Sequence, residues 1–397
     1  SNPGNPTRYL AAKTNRPSRT PWDRRREEEA RNAGDGVEKE EENLEINSAQ
    51  AYSIMNFVDW CVNEKSYKAD NYALIFSGHS FGFHGHSFLR DESSASYMTK
   101  TKFKWTLEQI NGTKLLNRKI SILGFDSCVM SMLETAYEFR EFADFMVASE
   151  GSIPNAGWSY GNIIRKLSVK DDAADAKTVA QKLVRAYVER HKYTENGKSS
   201  AIGGNSIDIS AWDLSKVRSL AVAANELGKV FHSKLNLPTK KDGFDEVDLV
   251  VYEQLNRAIL QSHWNSQTYM HNQCVDLKDF CLQMRIELSC LGNQVMTIFP
   301  EVTQIDNEVR SNLATQIQDI KNACDSVIEA VDNCILLCGF SGEDYQFSNG
   351  VSLFFPWSEL SYVITRSRYE KLEFTETIGR NWDDFLAFYV CLATKRL

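Results

Sequence analysis

Two residues in this sequence have the type and setting for nucleophilic chemistry. One is Cys128, in Phe125-Asp126-Ser127-Cys128; the other is His79, in Phe76-Ser77-Gly78-His79. Each follows a short apolar run: Tyr72-Ala73-Leu74-Ile75-Phe76 leads to the histidine, and Ile120-Ser121-Ile122-Leu123-Gly124-Phe125 to the cysteine. Such runs bounded by turn formers read as buried strands. In an open α/β sheet, ligands bind beyond the carboxyl ends of the strands. A thiol and an imidazole at two such ends are placed to meet, and the imidazole then favours the attacking thiolate. Gly78 and Ser127 leave room for a substrate backbone. A helical pattern from Met130 to Phe142 would aim its positive end at Cys128, favouring a thiolate and a nearby oxyanion. The bland alternative is a buried core cysteine and a structural histidine.

The elements that must position these groups follow from periodicity. Ser48–Asn63 reads as an amphipathic helix, with Ile54, Phe57, Val58 and Cys61 at helical spacing. Residues 82–104 show little periodicity and read as a long loop. Phe145–Ala148 is a third strand, and a helix region opens at Gly161–Leu167. This alternation of strand and helix predicts an α/β layer with a mostly parallel sheet. Farther on, Ser206–Ile209 and Gly350–Pro356 read as strands. Ser215–Leu235, Leu277–Leu291, Glu308–Val331 and Trp382–Leu392 read as helices. The predicted organisation is a polar segment over 1–47, a catalytic subdomain over 48–200 and a C-terminal α/β subdomain over 201–397. Within the first segment, Arg24-Arg25-Arg26-Glu27-Glu28-Glu29 and Lys39-Glu40-Glu41-Glu42 predict a solvated helix or a mobile insertion.

Composition narrows the function classes. The formal charge of −8 and the pI near 5.5 argue against nucleic acid as a partner. No apolar run approaches the roughly 18 residues of a membrane span, and Ser1–Arg8 lacks the pattern of a signal peptide. The nine cysteines contain no CxxC pair, which excludes zinc-ribbon and thioredoxin readings. Most lie in apolar stretches and are expected to be free core thiols, which leans towards a reducing compartment. His84 and His86 would share one face of a strand, as metal ligands do. They lack a third ligand nearby and are flanked by glycines, so no metal is assigned. His191, His232, His263 and His271 are scattered and receive no role.

Taken in order, these segments resemble the clostripain-like cysteine peptidases. Tyr72–Gly82 (YALIFSGHSFG) is similar to that family's strand and histidine loop. Ile120–Tyr137 (ISILGFDSCVMSMLETAY) is similar to its nucleophile segment, and Val147–Trp158 to the stretch that follows. Ser206–Ser215, Val275–Phe280, Gly350–Pro356 and Trp382–Tyr389 continue the likeness, which runs from about residue 48 to the end.

The resemblance implies a caspase-like fold, a sheet sandwiched by helices, and hydrolysis of peptide bonds in a protein or peptide substrate. Cys128 would attack the carbonyl, with His79 as its base. The oxyanion would rest on the backbone N–H of Cys128 and one near His79, at Ser80. Asp126 would lie in S1, the pocket for the residue before the cut bond, and select Arg or Lys. Ser149, Glu150 and Trp158 would complete that pocket. A carboxylate two residues before the nucleophile points to the nucleophile's side in an extended segment. This chain departs from the family pattern in having Ser77 and Ser80 around the histidine and Asn155-Ala156 before Gly157-Trp158. The family's apolar opening strand has no counterpart before residue 48.

By the same likeness, self-processing would fall in the loop between the two site segments, at Arg90 or at Lys100. Arg90-Asp91-Glu92-Ser93-Ser94 is the more polar stretch. The acidic residues show no EF-hand spacing, so no cofactor is expected to be required and calcium is not predicted. An activating protein partner with altered specificity, and an inactive binding module, remain the rival readings. The likeness points outside the cell, and the unpaired cysteines allow the cytoplasm.

Overall fold

The computed structural model describes residues 8–11, 37–41, 47–64, 69–83, 88–91, 94–115, 117–155, 157–167, 175–192, 194–195, 198–199, 206–235, 246–298 and 304–396. Near the N-terminus, β1 (Arg8–Ala11) pairs antiparallel with β2 (Val37–Glu41). The expected helix or insertion is therefore a strand at 37–41, and the Arg24–Glu29 charge run lies outside the described residues, as do His84 and His86.

The chain continues through α1 (Ala51–Asp59), β3 (Ala73–Ser77), α2 (Lys100–Gln109), β4 (Ile120–Asp126), α3 (Leu133–Phe139) and β5 (Ala143–Ala148). Next come α4 (Tyr160–Leu167), α5 (Ala176–Lys192), the two-residue strands β6 (Thr194–Glu195) and β7 (Lys198–Ser199), and β8 (Ile207–Asp213). A helical excursion follows: α6 (Val217–Leu235), α7 (Glu246–Asn265), β9 (Thr268–Tyr269), β10 (Cys274–Asp276), α8 (Leu277–Ile298) and α9 (Gln304–Cys334). The chain ends with β11 (Ile335–Ser341), β12 (Ser352–Phe354), α10 (Glu359–Tyr369), α11 (Glu373–Thr377) and α12 (Arg380–Arg396).

The central sheet has five strands in the order β11-β8-β5-β4-β3. Strands β3, β4 and β5 pair in parallel, β8 runs against β5, and β11 runs against β8. Four of the five strands thus point one way, as the strand–helix rhythm predicts. Every residue of β4 is buried, which is why ISILGF reads as a mostly apolar run. Strand β3 is the edge of this sheet and is only partly covered.

Side chains alternate across the sheet and feed two cores. Phe76, Leu123, Phe125 and Met146 pack against Phe103 and Leu107 of α2 and Ala136 and Phe139 of α3. On the opposite face Ile122, Val147, Ile209 and Ala211 meet Ile163 of α4 and Leu183, Val184 and Tyr187 of α5. Burial of each such side chain contributes roughly 1.5–3 kcal/mol, so the sheet is a rigid base for whatever its strand ends carry. A second, three-stranded antiparallel sheet, β12-β10-β9, packs with α6–α8 and α12 through Phe231, Phe280, Phe354, Phe355, Trp382 and Phe385.

Several expectations need correction. Strands β8 and β11, from beyond residue 200, complete the sheet begun by β3–β5, and one core runs from Val58 to Ala393. The loop expected over 82–104 ends early: Thr99 caps α2, its hydroxyl accepting the Lys102 N–H at 3.2 Å. The helix expected from Met130 to Phe142 is the seven-residue α3. Its start is delayed because the N–H groups of Met130 and Ser131 both bind the Ser149 carbonyl, at 3.0 and 2.9 Å. Strand β8 outruns its predicted end at Ile209, reaching Asp213. Helices α5 and α7 and strand β11 went unread. Among the described residues no helix is long and apolar enough to cross a membrane.

Candidate active site

The register of β3 on β4 places Ser77 opposite Asp126. The Gly78 N–H then donates to the Asp126 carbonyl at 3.2 Å, carrying the pairing one residue farther. His79 and Cys128 each lie two residues beyond these partners, so both leave neighbouring parallel strands at their carboxyl ends. That is the sheet edge where α/β folds bind ligands.

Cys128 occupies a tight turn, not a helix N-terminus. Val129 follows it at φ 57°, a left-handed conformation that costs an L-residue about 1–2 kcal/mol. Neighbouring bonds hold it there: Val129 N–H to the Gly151 carbonyl at 3.0 Å, and the two bonds to Ser149 already described. Strain kept in this way is typical of residues that present a functional group. The dipole of α3 therefore does not act on Cys128 as expected, since α3 starts at Leu133. The turn instead leaves the Cys128 backbone N–H without an acceptor among the described residues.

The half-buried thiol sulfur accepts the Ile153 N–H at 3.2 Å. Such a contact strengthens when the sulfur carries negative charge. His79 is exposed, and its ring makes no hydrogen bond to Cys128. Catalytic contacts are commonly long before substrate binds.

Asp126 is buried at the head of this edge. Its Oδ2 accepts from Tyr160 Oη (2.7 Å), Trp158 N (3.0 Å) and Ser77 Oγ (3.2 Å), and its Oδ1 shares the Trp158 N–H (3.1 Å). Gly157 permits this approach. It sits at φ 59°, and a Cβ there would come within 2.7 Å of Oδ2. Ser77, a departure from the family pattern, thus serves as a donor to Asp126.

The other predicted residues are not brought to the site by their side chains. Ser80 is buried, its hydroxyl donating to Met130 Sδ and accepting the Gly82 N–H at 3.1 Å. Only its backbone remains near His79. Ser149 is also buried, donating to the Asp208 carbonyl at 2.6 Å. The Glu150 carboxylate points inward, accepting from Gly350 N (2.8 Å) and Tyr269 Oη (3.3 Å). Burial, and then the neighbouring Asp276 and Asp208 carboxylates, push it well above the ordinary range. An enclosed acid whose oxygens face the core cannot select a basic side chain. Trp158 is buried in the core shared with α4 and α5, so only its backbone N–H reaches Asp126.

Of the processing candidates, Arg90 is exposed, but the bond after it leads into a clasp. Asp91 and Ser96 exchange backbone hydrogen bonds of 2.8 and 3.1 Å, and the Asp91 carboxylate takes the N–H groups of Ser48 and Ser94. Lys100 does not stand in an exposed loop. It is the first residue of α2, and its ammonium is buried. Lys102 and Lys104 lie on the same helix, and Lys104 pairs with Glu138 at 2.9 Å.

Three contributors escaped the sequence reading. They are the Tyr160 hydroxyl on Asp126, the Ile153 N–H on the thiol, and Asp208, whose carboxylate takes the N–H groups of Glu150 (2.6 Å) and Gly151 (2.8 Å). Tyr160 was within reach as the first aromatic after Gly157-Trp158. Nothing in the sequence ties Asp208 to residue 150.

This geometry can be set beside known proteins. A family model for the clostripain peptidases matches residues 22–389. The chain belongs to the clostripain family. Clostripain from Hathewaya histolytica is 24% identical over 210 residues, 46% of this chain and 39% of that protein, so the match spans well under half of its length. An inactive zymogen C11 protease from Parabacteroides distasonis superposes with a TM-score of 0.54 at 15% identity, covering 87% of this chain and 81% of its own. A secreted C11 cysteine protease from Bacteroides thetaiotaomicron, solved with an irreversible peptide inhibitor, gives 0.54 at 16%, covering 86% and 82%. These two likenesses establish the fold, the caspase-like sheet between helices that the clostripain-like motifs implied.

Proposed function

We propose that this member of the clostripain family is a cysteine endopeptidase, with Cys128 as nucleophile and His79 as general base, acting on protein or peptide substrates. The observation that carries this reading is the register of β3 on β4, which sets both residues at one sheet edge with the thiol in a strained, pinned turn. Attack by sulfur on the carbonyl carbon would place the oxyanion at the free backbone N–H of Cys128. The thiol proton would pass to His79 and then to the leaving amine. His79 must turn towards the sulfur for this, and its exposure leaves it free to do so.

Selection of Arg or Lys is assigned to Asp126 alone, since Glu150 is turned into the core. Self-processing is assigned to the bond after Arg90, and it requires the Asp91–Ser96 clasp to open first. That clasp also favours a second reading, a latent enzyme released by a partner that loosens the 88–96 segment.

The test is incubation of the purified chain, beside Cys128→Ala, with matched fluorogenic peptides ending in Arg, Lys, Leu or Asp. Mass spectrometry of both chains runs in parallel. Release after Arg or Lys, together with a cut after Arg90, both absent from the variant, is expected. Cysteine-dependent release after another residue would remove the basic preference. Equal release by both chains would remove Cys128 from the chemistry.

A further inference from the structure

Behind the two loops of the candidate active site lies a cavity of about 230 Å³. Gly82, three residues past His79, and Met130, two past Cys128, both line it. Much of its wall is aromatic. Phe88 and Phe103 meet at 4.9 Å between ring centres, Phe103 and Phe139 at 5.2 Å, and Phe83 closes the end. Three cationic side chains, Lys100, Arg368 and Lys371, also border it.

Lys100 is the unusual member. Its Nζ is buried and has no hydrogen-bond partner, and it stands 5.5 Å from the centre of the Phe83 ring. The nearby carboxylates do not supply an ion pair. Glu138 is taken by Lys104 at 2.9 Å and by the Glu373 N–H at 2.5 Å, while Glu134 holds the Phe354 N–H with Oε1 at 2.9 Å and its buried Oε2 does not reach Lys100. A buried ammonium without a hydrogen-bond partner is costly to keep. An anion entering the cavity would supply that partner.

We propose that this cavity binds a small monocarboxylate with an aromatic or short alkyl tail, its carboxylate on Lys100 and its apolar part among the phenylalanines. A dry cavity of about 150 Å³ holds benzene, so by proportion this one takes about nine heavy atoms, the size of benzoate or hexanoate. An inorganic anion would leave the aromatic wall unused. Burial pushes the Lys100 ammonium down to about 8, so it is still mostly charged at neutral pH and gains from an anionic partner. The proposal is independent of the peptidase reading, because binding is measured without turnover.

Calorimetric titration of the whole chain with benzoate and hexanoate, beside benzamide and hexanamide, tests it. The acids should bind at least about tenfold more tightly than the amides, the least that a charge-assisted contact contributes. Lys100→Met should lose about tenfold for the acids and change the amides less than about threefold. A measurement on the unaltered chain guards against misfolding of the variant: benzoate, but not benzamide, should slow reductive methylation of Lys100 relative to exposed lysines. Equal binding of acids and amides, retention of acid binding by Lys100→Met, or unprotected methylation at saturating benzoate would each overturn the proposal.

Discussion

Replacing Asp126 with asparagine separates a selecting role from a structural one. Three donors converge on Oδ2, from Tyr160, Trp158 and Ser77, while Oδ1 has only a share of the Trp158 N–H. Asparagine keeps the shape. Its carbonyl oxygen will take the Oδ2 position, where acceptors are required, and its amide nitrogen the Oδ1 position. A donor then stands where an incoming guanidinium or ammonium needs an acceptor. A hydrogen bond to a charged group is worth about 1.5–3 kcal/mol, so kcat/KM for Arg and Lys peptides should fall about 10- to 150-fold. A matched Leu peptide, which makes no such contact, should change less than about threefold by the same argument. The assay is initial-rate kinetics on the peptide set, with a melting curve for each chain. An equal fall on every peptide would refute the selecting role and leave Asp126 as an anchor for residues 157–160.

Two other perturbations follow from the same structure. Gly157→Ala forces an alanine to φ 59° and sets its Cβ 2.7 Å from Asp126 Oδ2. It should destabilise the protein by about 2 kcal/mol in a denaturant titration and weaken cleavage after Arg more than after Leu; an unchanged midpoint would contradict the geometry. Glu134 is buried, and burial raises its carboxyl from 4.5 to about 7. An acid raised in the folded state contributes stability below its unfolded pKa, and that stability is lost as pH rises through the folded one. Glu134→Gln should therefore match the parent chain near pH 4 and exceed it by up to about 3 kcal/mol at pH 8. Comparing two chains at each pH cancels the contributions of Asp208 and Asp276, which burial also raises, to about 6 and about 7. A difference that is flat across pH 4–8 would refute the assignment.

Much of the site could be read from the chain itself. The runs YALIF and ISILGF are mostly apolar because both lead into strands of one sheet. Their last residues must therefore emerge together, and His79 and Cys128 are found there. Elements with little apolar patterning of their own were missed. Helix α2 opens with Lys100-Thr101-Lys102 and buries only Phe103, Thr106 and Leu107. The helix expected at Met130 was shortened because its first N–H groups found the Ser149 carbonyl, just past the end of β5.

The acidic residues draw the line most clearly. Asp126 and Glu150 are both carboxylates beside the nucleophile's strand, and sequence alone ranked both as pocket residues. The sequence by itself determined the first strands of the sheet, their paired carboxyl ends and the two candidate catalytic side chains there, because apolar runs and turn formers act locally. Only the tertiary structure decided how each acid is anchored. Gly350 and Tyr269, from 200 and 119 residues farther along the chain, draw Glu150 into the core, while Trp158 and Tyr160 hold Asp126 at the edge. Burial and hydrogen-bond partners depend on segments far apart in sequence, and no local pattern encodes them.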